Sequence, residues 1–143
     1  MSVKQISVFI ENRPGSVVEV TGILADNGVD MRAISLTETT DFGIARIIVN
    51  DVFTATTALK EAGFVCSLSE ALAVAIPDKP GGLHQAVKVL ADAEINVEYV
   101  YAFLGSHKGE AYMIFMVNDP QKAEAVLTSH NMRLVDQEEL AEL

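Results

Sequence analysis

Two short turns hold the residue types that could bind a small molecule. Each turn follows an apolar, strand-like run and opens onto a stretch with helical spacing. Glycine lets another group approach the backbone closely, and the first N–H groups of a helix have no acceptor inside it. Together with the helix dipole, these groups form a site for a carboxylate or another small anion. The residues concerned are Asn12, Arg13, Pro14, Gly15, Ser16 and Val17 in the first turn, and Asp78, Lys79, Pro80, Gly81, Gly82 and Leu83 in the second.

Two polar side chains at the start of the turns could meet an ammonium group. Asp78 offers a carboxylate in the second turn, whereas the first turn offers Asn12, with Glu11 before it. Amide donors for a carboxylate, combined with Asp or Asn for an ammonium group, suit a free amino acid. We expect the next strand to begin beside the turn, so that its first residues complete the wall of the site. These residues are Asp30 and Met31 in the first half, and Asn96 and Val97 in the second.

A purely structural interpretation of the turns stays open. Proline-glycine is a common turn dipeptide. Proline at the first helical position fixes φ and lacks an N–H that would have no partner there, so we expect Pro14 and Pro80 at that position of their helices. Arg13 and Lys79 either meet an acidic group or lie in solvent. The difference between asparagine and aspartate predicts that the two sites are not equivalent.

The two turns belong to two copies of one sequence module. A shift of 66 residues superimposes the turns, and a shift of 68 residues superimposes the later part of each copy. Chance matches would not keep one register with a single small adjustment. The repetition therefore predicts two domains of one fold. The matching words are Pro14-Gly15 with Pro80-Gly81, Leu24-Ala25-Asp26 with Leu90-Ala91-Asp92, and Val49-Asn50-Asp51 with Val117-Asn118-Asp119.

Each copy has the same order of predicted elements: strand, helix, strand, strand, helix, strand. Alternating apolar residues predict the strands, and apolar residues three or four apart predict the helices. In the first copy the predicted strands are 3–10, 29–37, 44–49 and 64–68, and the helices are 14–27 and a stretch capped by Asn50 or Asp51 and ended by Gly63. In the second copy the strands are 71–76, 95–104, 111–117 and 132–135, and the helices are 83–93 and 120–130. We expect the acidic tail at 137–143 to form a short helix or a frayed end.

This order is typical of the ferredoxin-like βαββαβ fold, which belongs to the α+β class. Right-handed crossovers would place both helices on one face of each antiparallel sheet. We therefore predict two such domains, at residues 1–69 and 70–143. The predicted strand from Tyr112 to Val117 is apolar on both sides. An apolar second face needs a cover, which predicts stacking between sheets, most simply in a homodimer.

Composition argues against several classes of function. The 143-residue chain has a formal net charge of −10, which disfavours binding to nucleic acid or to an anionic membrane surface. Hydrophobic residues make up 50% of the chain, but no apolar run approaches the roughly 18 residues of a membrane span, and the N-terminus does not resemble a signal peptide. A single cysteine excludes an internal disulfide. We expect a globular, cytoplasmic protein.

The sequence after the first turn resembles an ACT domain, the regulatory amino-acid-binding module of aspartate kinases, phosphoglycerate dehydrogenase and prephenate dehydratase. The Asn-Arg-Pro-Gly turn, residues 24–35 (LADNGVDMRAIS) and residues 41–51 (DFGIARIIVND) carry the resemblance. It covers essentially the whole chain, twice, as in small tandem ACT proteins. The second copy departs from the pattern, with Ala93-Glu94 in place of Asn27-Gly28 and with a longer hairpin.

The resemblance implies where a ligand would sit and what it would control. In the family, ligands lie between paired modules, at the loop after the first strand and the start of the first helix. That implicates the residues of both turns named above. The family also implies side-by-side pairing of modules into a continuous sheet and, usually, control of a catalytic domain, which this sequence does not contain.

Three hypotheses about function follow. The first is a non-catalytic sensor that binds a free amino acid and regulates a partner enzyme of amino-acid metabolism, because the bound ligand favours one arrangement of modules. The alternative is a structural subunit that docks on an enzyme through its apolar sheet face without binding a metabolite. An enzyme is the least favoured, since no nucleophile–base or carboxylate pair stands out. The three histidines lack metal-ligand spacing, so we expect neither a metal nor another cofactor.

Overall fold

The chain folds into two compact units. A computed structural model describes all 143 residues. The first unit comprises Lys4–Ser69, and the second comprises Met1–Val3 together with Glu70–Leu143. No helix is long and apolar enough to cross a membrane.

The first unit contains four strands and two helices in the predicted order. Strand β3 pairs antiparallel with β1 on one edge and with β2 on the other, and β4 pairs with β1. The strand order is therefore β4–β1–β3–β2. The elements are β1 (Val3–Glu11), α1 (Ser16–Asp26), β2 (Met31–Glu38), β3 (Phe42–Val49), α2 (Val52–Glu61) and β4 (Val65–Pro77).

The second unit repeats this arrangement and adds a short helix. The later part of β4 pairs antiparallel with β6 and β7, and β6 pairs with β5 on its other edge, which gives the order β7–β4–β6–β5. Besides the later part of β4, the elements of this unit are α3 (Gly82–Asp92), β5 (Val97–His107), β6 (Glu110–Val117), α4 (Pro120–Ser129), β7 (Leu134–Val135) and the additional helix α5 (Gln137–Glu142). The chain is thus of the α+β class with antiparallel sheets.

Both helices of each unit lie on the same face of its sheet. One buried cluster in the first unit joins Val20 and Leu24 of α1 and Leu59 of α2 to alternate residues of β1 and β3. The corresponding cluster in the second unit joins Leu90 of α3 and Leu127 of α4 to alternate residues of β4 and β6. Each core forms because the helices carry apolar residues three or four positions apart and the strands carry apolar residues at every second position.

The repeated word Val-Asn-Asp has a structural explanation in both units. The side chain of Asn50 accepts a hydrogen bond from the amide of Asp30 at 2.9 Å, and Asn118 does the same for Asn96 at 3.0 Å. The aspartate after each asparagine caps the next helix, because Asp51 and Asp119 accept from backbone amides in the first turn of α2 and α4. These residues fix the fold at the end of the sheet where β2 and β5 begin.

Two predicted boundaries are wrong for physical reasons. Residues 64–68 and 71–76 are not two separate strands but belong to the continuous β4, because no glycine or proline interrupts the chain between them. The first helices begin at Ser16 and Gly82, so that Pro14 and Pro80 lie in the preceding turn rather than at the first helical position. The acidic tail forms α5, which buries Leu140 completely.

The apolar second face of the second unit is covered within a single chain. Tyr101 and Ile114, paired across β5 and β6, are 8% and 0% exposed, and Phe103 and Tyr112 are 6% and 2% exposed. These side chains alternate with residues of the core beneath α3 and α4. A second copy is therefore not needed to bury them, and this argument for a homodimer does not hold.

Candidate functional site

The two proline-glycine turns have the same backbone geometry. In the first, the amide of Ser16 donates to the carbonyl of Arg13 at 3.3 Å, and the amide of Glu19 donates to Gly15 at 3.0 Å. In the second, Gly82 donates to Lys79 and Gln85 donates to Gly81, both at 3.0 Å. The predicted duplication of the turn is thus present as a duplicated set of hydrogen bonds.

A left-handed glycine directs the chain into each helix. Gly15 and Gly81 occupy the N-cap positions with φ of 92° and 87°, a region that side chains with a Cβ rarely adopt. Neither N-cap has a side chain that could accept from the first helical amides. The glycine therefore leaves the helix start uncapped as well as accessible.

Three amides at the start of each helix have no acceptor. In α1 these belong to Gly15, Val17 and Val18, whereas the amide of Ser16 is used within the turn. The prediction that the amides of Gly15, Ser16 and Val17 are all available is therefore wrong for Ser16, and its counterpart Gly82 is used in the same way. The remaining donors lie at the positive end of the helix dipole, where a negatively charged group is favoured. In α3 the unpaired amides are those of Gly81, Leu83 and His84.

The side chain of Ser16 makes the first turn different from the second. Ser16 is 4% exposed, and its hydroxyl has no hydrogen-bond partner. Buried polar groups are nearly always paired, so this hydroxyl is a hydrogen-bonding group that the rest of the chain does not use. The equivalent residue Gly82 cannot carry a side chain, because a Cβ would lie 2.0 Å from the carbonyl oxygen of Pro77.

A small cleft opens beside the first turn. The cleft formed by a single chain has a volume of about 50 Å³, which is enough for a few non-hydrogen atoms of a ligand. Two acidic side chains, Glu11 and Glu38, stand on its walls. The cleft is lined by Ile10, Glu11, Asn12, Arg13, Ser16, Val17, Leu36, Glu38 and Gly43.

The end of β2, rather than its start, lies beside the turn. Ile10 pairs with Gly43, and Gly43 pairs with Glu38, so these residues share one end of the sheet. Met31 pairs with Val49 at the other end, about 23 Å away for seven residues of strand. The expectation that Asp30 and Met31 complete the wall is therefore wrong.

The same correction applies to the second unit. Val97 pairs with Val117, whereas His107 pairs with Glu110, which also pairs with Pro77 just before the turn. Asn96 and Val97 thus lie at the far end of the sheet. The sequence alone was enough to select the correct end of the strand. The first and second strands of a βαβ unit run parallel, so their C-terminal ends lie at the same end of the sheet. Applied to the first unit, that rule selects Leu36 and Glu38.

Asn12 and Arg13 are held by the chain itself. The Asn12 side-chain amide donates to the carbonyl of Thr39 at 3.0 Å and so fastens the β2–β3 hairpin to the turn. The Arg13 guanidinium donates to Glu19 and Glu11, each at 2.9 Å, and these bonds, Glu19 first, raise the pKa of Arg13. Asn12 therefore has a structural role, and Arg13 neutralises Glu11.

The polar side chains of the second turn have no such partners. Asp78 anchors its turn only through its amide, which donates to Gly109 at 2.8 Å, and its carboxylate makes no hydrogen bond or ion pair. Lys79 is also without an ion pair. No group of three or more His, Cys, Asp or Glu residues is close enough to hold a metal ion. The turns therefore offer backbone amide donors and carboxylate side chains.

Comparisons with known proteins identify the fold. Residues 1–143 match the family described as ACT domain pair. Protein BT0572 from Bacteroides thetaiotaomicron, whose crystal structure is known, superimposes with a TM-score of 0.92 at 30% identity, over 100% of this chain and 98% of that chain. A comparison with curated proteins found no match.

More distant solved structures share the fold alone. The regulatory subunit of aspartate kinase from Thermus thermophilus, in a ligand-free form, has a TM-score of 0.63 at 20% identity over 88% of both chains. The corresponding subunit from Thermus flavus has a TM-score of 0.62 at 19% identity over 88% of both chains.

Proposed function

Because this chain belongs to the family of ACT domain pairs, we propose that it is a non-catalytic sensor of a free amino acid. An ACT domain pair is a regulatory type of domain. We assign its two ferredoxin-like ACT domains to residues 1–69 and 70–143, and we expect it to act in the cytoplasm. The ligand would bind at the first turn.

The buried hydroxyl of Ser16 is the observation that carries this proposal. It lies at an uncapped helix start, on the wall of a cleft, with no partner of its own. A bound carboxylate would accept from this hydroxyl and from the free amides of Gly15 and Val17. An unpaired buried polar group costs about 1–3 kcal/mol, and binding would recover this free energy.

Glu38 is the acceptor that we propose for the ammonium group. It lines the cleft, is exposed, and makes no hydrogen bond or ion pair. Glu11, the other carboxylate of the cleft, is already bound by Arg13. The small volume of the cleft and the side chain of Leu36 on its wall favour an amino acid with a small, uncharged side chain.

The second turn would bind the same ligand less tightly. It offers Asp78 and free amides, but Gly82 supplies no hydroxyl there. Asp30 and Met31 lie at the end of their sheet away from the first turn, and Asn96 and Val97 lie at the end of theirs away from the second.

We also propose that the sensor works as a homodimer that controls an enzyme of amino-acid metabolism. Leu36 lines the cleft yet is 51% exposed, so a second copy placed over it would both bury an apolar side chain and enclose the ligand. The regulatory subunit of aspartate kinase from Thermus thermophilus is a fold relative with a regulatory role. By analogy, this chain would pass its ligand state to a catalytic partner.

The alternative of a docking subunit has less support. It relied on an apolar sheet face, and Tyr101, Tyr112 and Ile114 of that face are buried within the chain. Exposed aromatic side chains remain at Phe9, Phe42 and Phe53, which are 45%, 63% and 80% exposed. A few exposed apolar residues are normal for a protein surface.

A thermal-shift screen against the twenty amino acids tests the proposal. A ligand at a hundredfold excess over its Kd stabilises the folded state by about 2.7 kcal/mol, which raises Tm by several degrees. We expect the shift to be lost in Ser16→Ala and Glu38→Gln. Asp41→Asn is the matched control, because Asp41 lies in the adjacent hairpin but does not line the cleft. Full shifts in both cleft variants would refute the assignment.

A further inference from the structure

The first unit carries an apolar patch on the face of its sheet that is turned away from its helices. Val8, Ala45 and Cys66 pack into the core beneath α1 and α2. Successive side chains of a strand point to opposite faces, so the residues next to these three lie on the other face. We call the apolar residues there the Phe9 patch: Phe9 of β1, Phe42 and Ile44 of β3, and Val65 of β4.

The aromatic members of the Phe9 patch lie side by side. Phe9 pairs with Ile44 across β1 and β3, and Phe42 is the next residue of β3 on the same face. Phe9 and Phe42 are 45% and 63% exposed, and Ile44 lies half-buried between them. Exposed apolar side chains that are contiguous, unlike single ones, are typical of an interaction surface.

Val65 extends the patch on the other side of Phe9. The side-chain amide of Gln5 on β1 donates to the hydroxyl of Ser69 on β4 at 3.1 Å, which places these two residues opposite each other. The matching strands of the second unit, β4 and β7, are antiparallel. Counting four residues along each strand therefore places Val65, which is 66% exposed, opposite Phe9.

The equivalent surface of the second unit is covered by a helix. The offsets of 66 and 68 residues between the copies match Phe9 with Ala75 and Ile44 with Tyr112. Ala75 and Tyr112 pair across β4 and β6 and are only 6% and 2% exposed. Residues of α5 border the same cavity as Tyr112, and Leu140 of α5 is completely buried outside the core beneath α3 and α4.

The first unit has no helix in this position. In the second copy α5 follows the last strand, β7, whereas the matching strand of the first copy, residues 65–69, runs on as the later part of β4. One fold therefore presents this surface twice, once covered by a helix and once exposed. The duplication indicates that a short amphipathic helix fits the Phe9 patch.

The charges show that this helix differs from α5. Arg133 borders the covered surface and binds Glu139 of the acidic α5. The offset of 68 residues places Val65, which cannot hold an acidic group, at the position of Arg133. Arg46, further along β3, is already hydrogen-bonded within the sheet. The exposed carboxylate of Asp41 lies beside the patch, and the chain carries a net charge of −10, so a basic partner is favoured.

We propose that the Phe9 patch is a docking site for a short, basic, amphipathic α-helix of a partner protein. The apolar stripe of the helix lies across the patch, as the apolar side of α5 does in the second unit, and its basic residues face Asp41 and solvent. The proposal is independent of the amino-acid site, because the patch and the cleft share no residue.

The test uses a synthetic leucine–lysine peptide of about 18 residues, long enough to form a helix in water. Its leucines lie three or four positions apart. One control peptide has the same composition with leucines on all sides of the helix, and a second has glutamate in place of lysine. We expect saturable binding in fluorescence anisotropy, about tenfold tighter than for either control. Equal binding of either control peptide, or no saturable binding of the probe, would overturn the proposal.

Three variants locate the binding. Phe42→Ser should weaken it about tenfold, and Val65→Thr, which keeps the shape of the side chain, should weaken it less. Phe53→Ser is the matched control, because Phe53 is 80% exposed but lies on α2, on the opposite face of the sheet. Wild-type affinity in both Phe42→Ser and Val65→Thr, or an equal loss in Phe53→Ser, would overturn the assignment.

Sedimentation velocity of the free chain tests whether a second copy occupies the patch instead. We expect the oligomeric state of Phe42→Ser to equal that of the wild type. A dimer that this substitution dissociates would make the patch an interface between copies of the chain and would overturn the proposal.

Discussion

Single residues explain how two copies of one module came to differ. The two turns share their hydrogen bonds, but Ser16 in the first is replaced by Gly82 in the second. The sequence predicted non-equivalent sites from Asn12 and Asp78, and that contrast turned out to be partly structural, because the Asn12 amide holds the hairpin. Burial and hydrogen bonding, which no residue pattern reveals, move the emphasis to Ser16.

A second difference between the copies lies at the C-terminal ends of α1 and α3. Gly28 ends the first helix with φ of 67°, whereas Glu94 holds the equivalent left-handed position with φ of 59°. A left-handed conformation costs a residue with a side chain about 1–2 kcal/mol, which glycine avoids. Glycine also raises the conformational entropy of the unfolded chain, which offsets part of this advantage. We therefore expect Glu94→Gly to stabilise the protein by about 0.5–1 kcal/mol. Chemical denaturation measures this change.

Asn131 provides the matched control for that substitution. It also has positive φ, of 60°, but asparagine tolerates this conformation better than glutamate. Asn131→Gly should therefore leave the free energy of unfolding nearly unchanged. An equal gain at both positions would mean that backbone conformation is not the cause.

At the scale of the elements, the sequence pattern predicted most of the fold. The period of two in the strands and the helical spacing after each turn gave the correct type and order of the elements from β1 to β7. The errors occurred where tertiary contacts decide, as in the single β4 across residues 65–77 and the late start of α1. The site was misplaced for a related reason, since Asp30 was assigned to the wrong end of the sheet.

The start of α3 depends on close contact with the strand before it. A Cβ at Gly82 would overlap the carbonyl oxygen of Pro77, so that Gly82→Ala must shift the backbone. We expect a loss of about 3 kcal/mol. Gly22→Ala in α1 is the contrasting control, because no atom lies within 4 Å of its added Cβ and alanine favours a helix by about 0.5–1 kcal/mol. Unfolding curves that rank the two variants the other way would contradict this packing.

The cap of α2 should make stability depend on pH. Hydrogen bonds from Thr54, its hydroxyl first and its amide second, hold the pKa of Asp51 below its ordinary value of 3.8. A carboxylate whose pKa is lowered in the folded state stabilises the protein at pH values above its unfolded-state pKa. This contribution is lost as the pH falls through the folded-state pKa. We expect Asp51→Asn to lower Tm at pH 7 but hardly at pH 2, as thermal unfolding would show. If the Tm of Asp51→Asn were below that of the wild type by the same amount at both pH values, the charge of Asp51 would not be the cause.

For the whole molecule, the main revision concerns what a single chain can bury. The sequence showed correctly that the second face of the second unit is apolar, but it could not show that Tyr112 and Ile114 are covered within one chain. The argument for a dimer therefore moves from sheet stacking to the exposed Leu36 at the cleft. Likewise, the sequence predicted from Asn12 and Asp78 that the two turns are not equivalent, and we propose that this difference follows mainly from Ser16 and Gly82.

The central claim is that the first turn binds an amino acid, and calorimetric titration tests it most directly. The ligand is the amino acid that gives the largest thermal shift. We predict one high-affinity site per chain, unchanged in Asp78→Asn and weakened at least tenfold in Ser16→Ala and in Glu38→Gln. Two equal sites, with one of them lost in Asp78→Asn, or wild-type affinity in Ser16→Ala and Glu38→Gln, would contradict it.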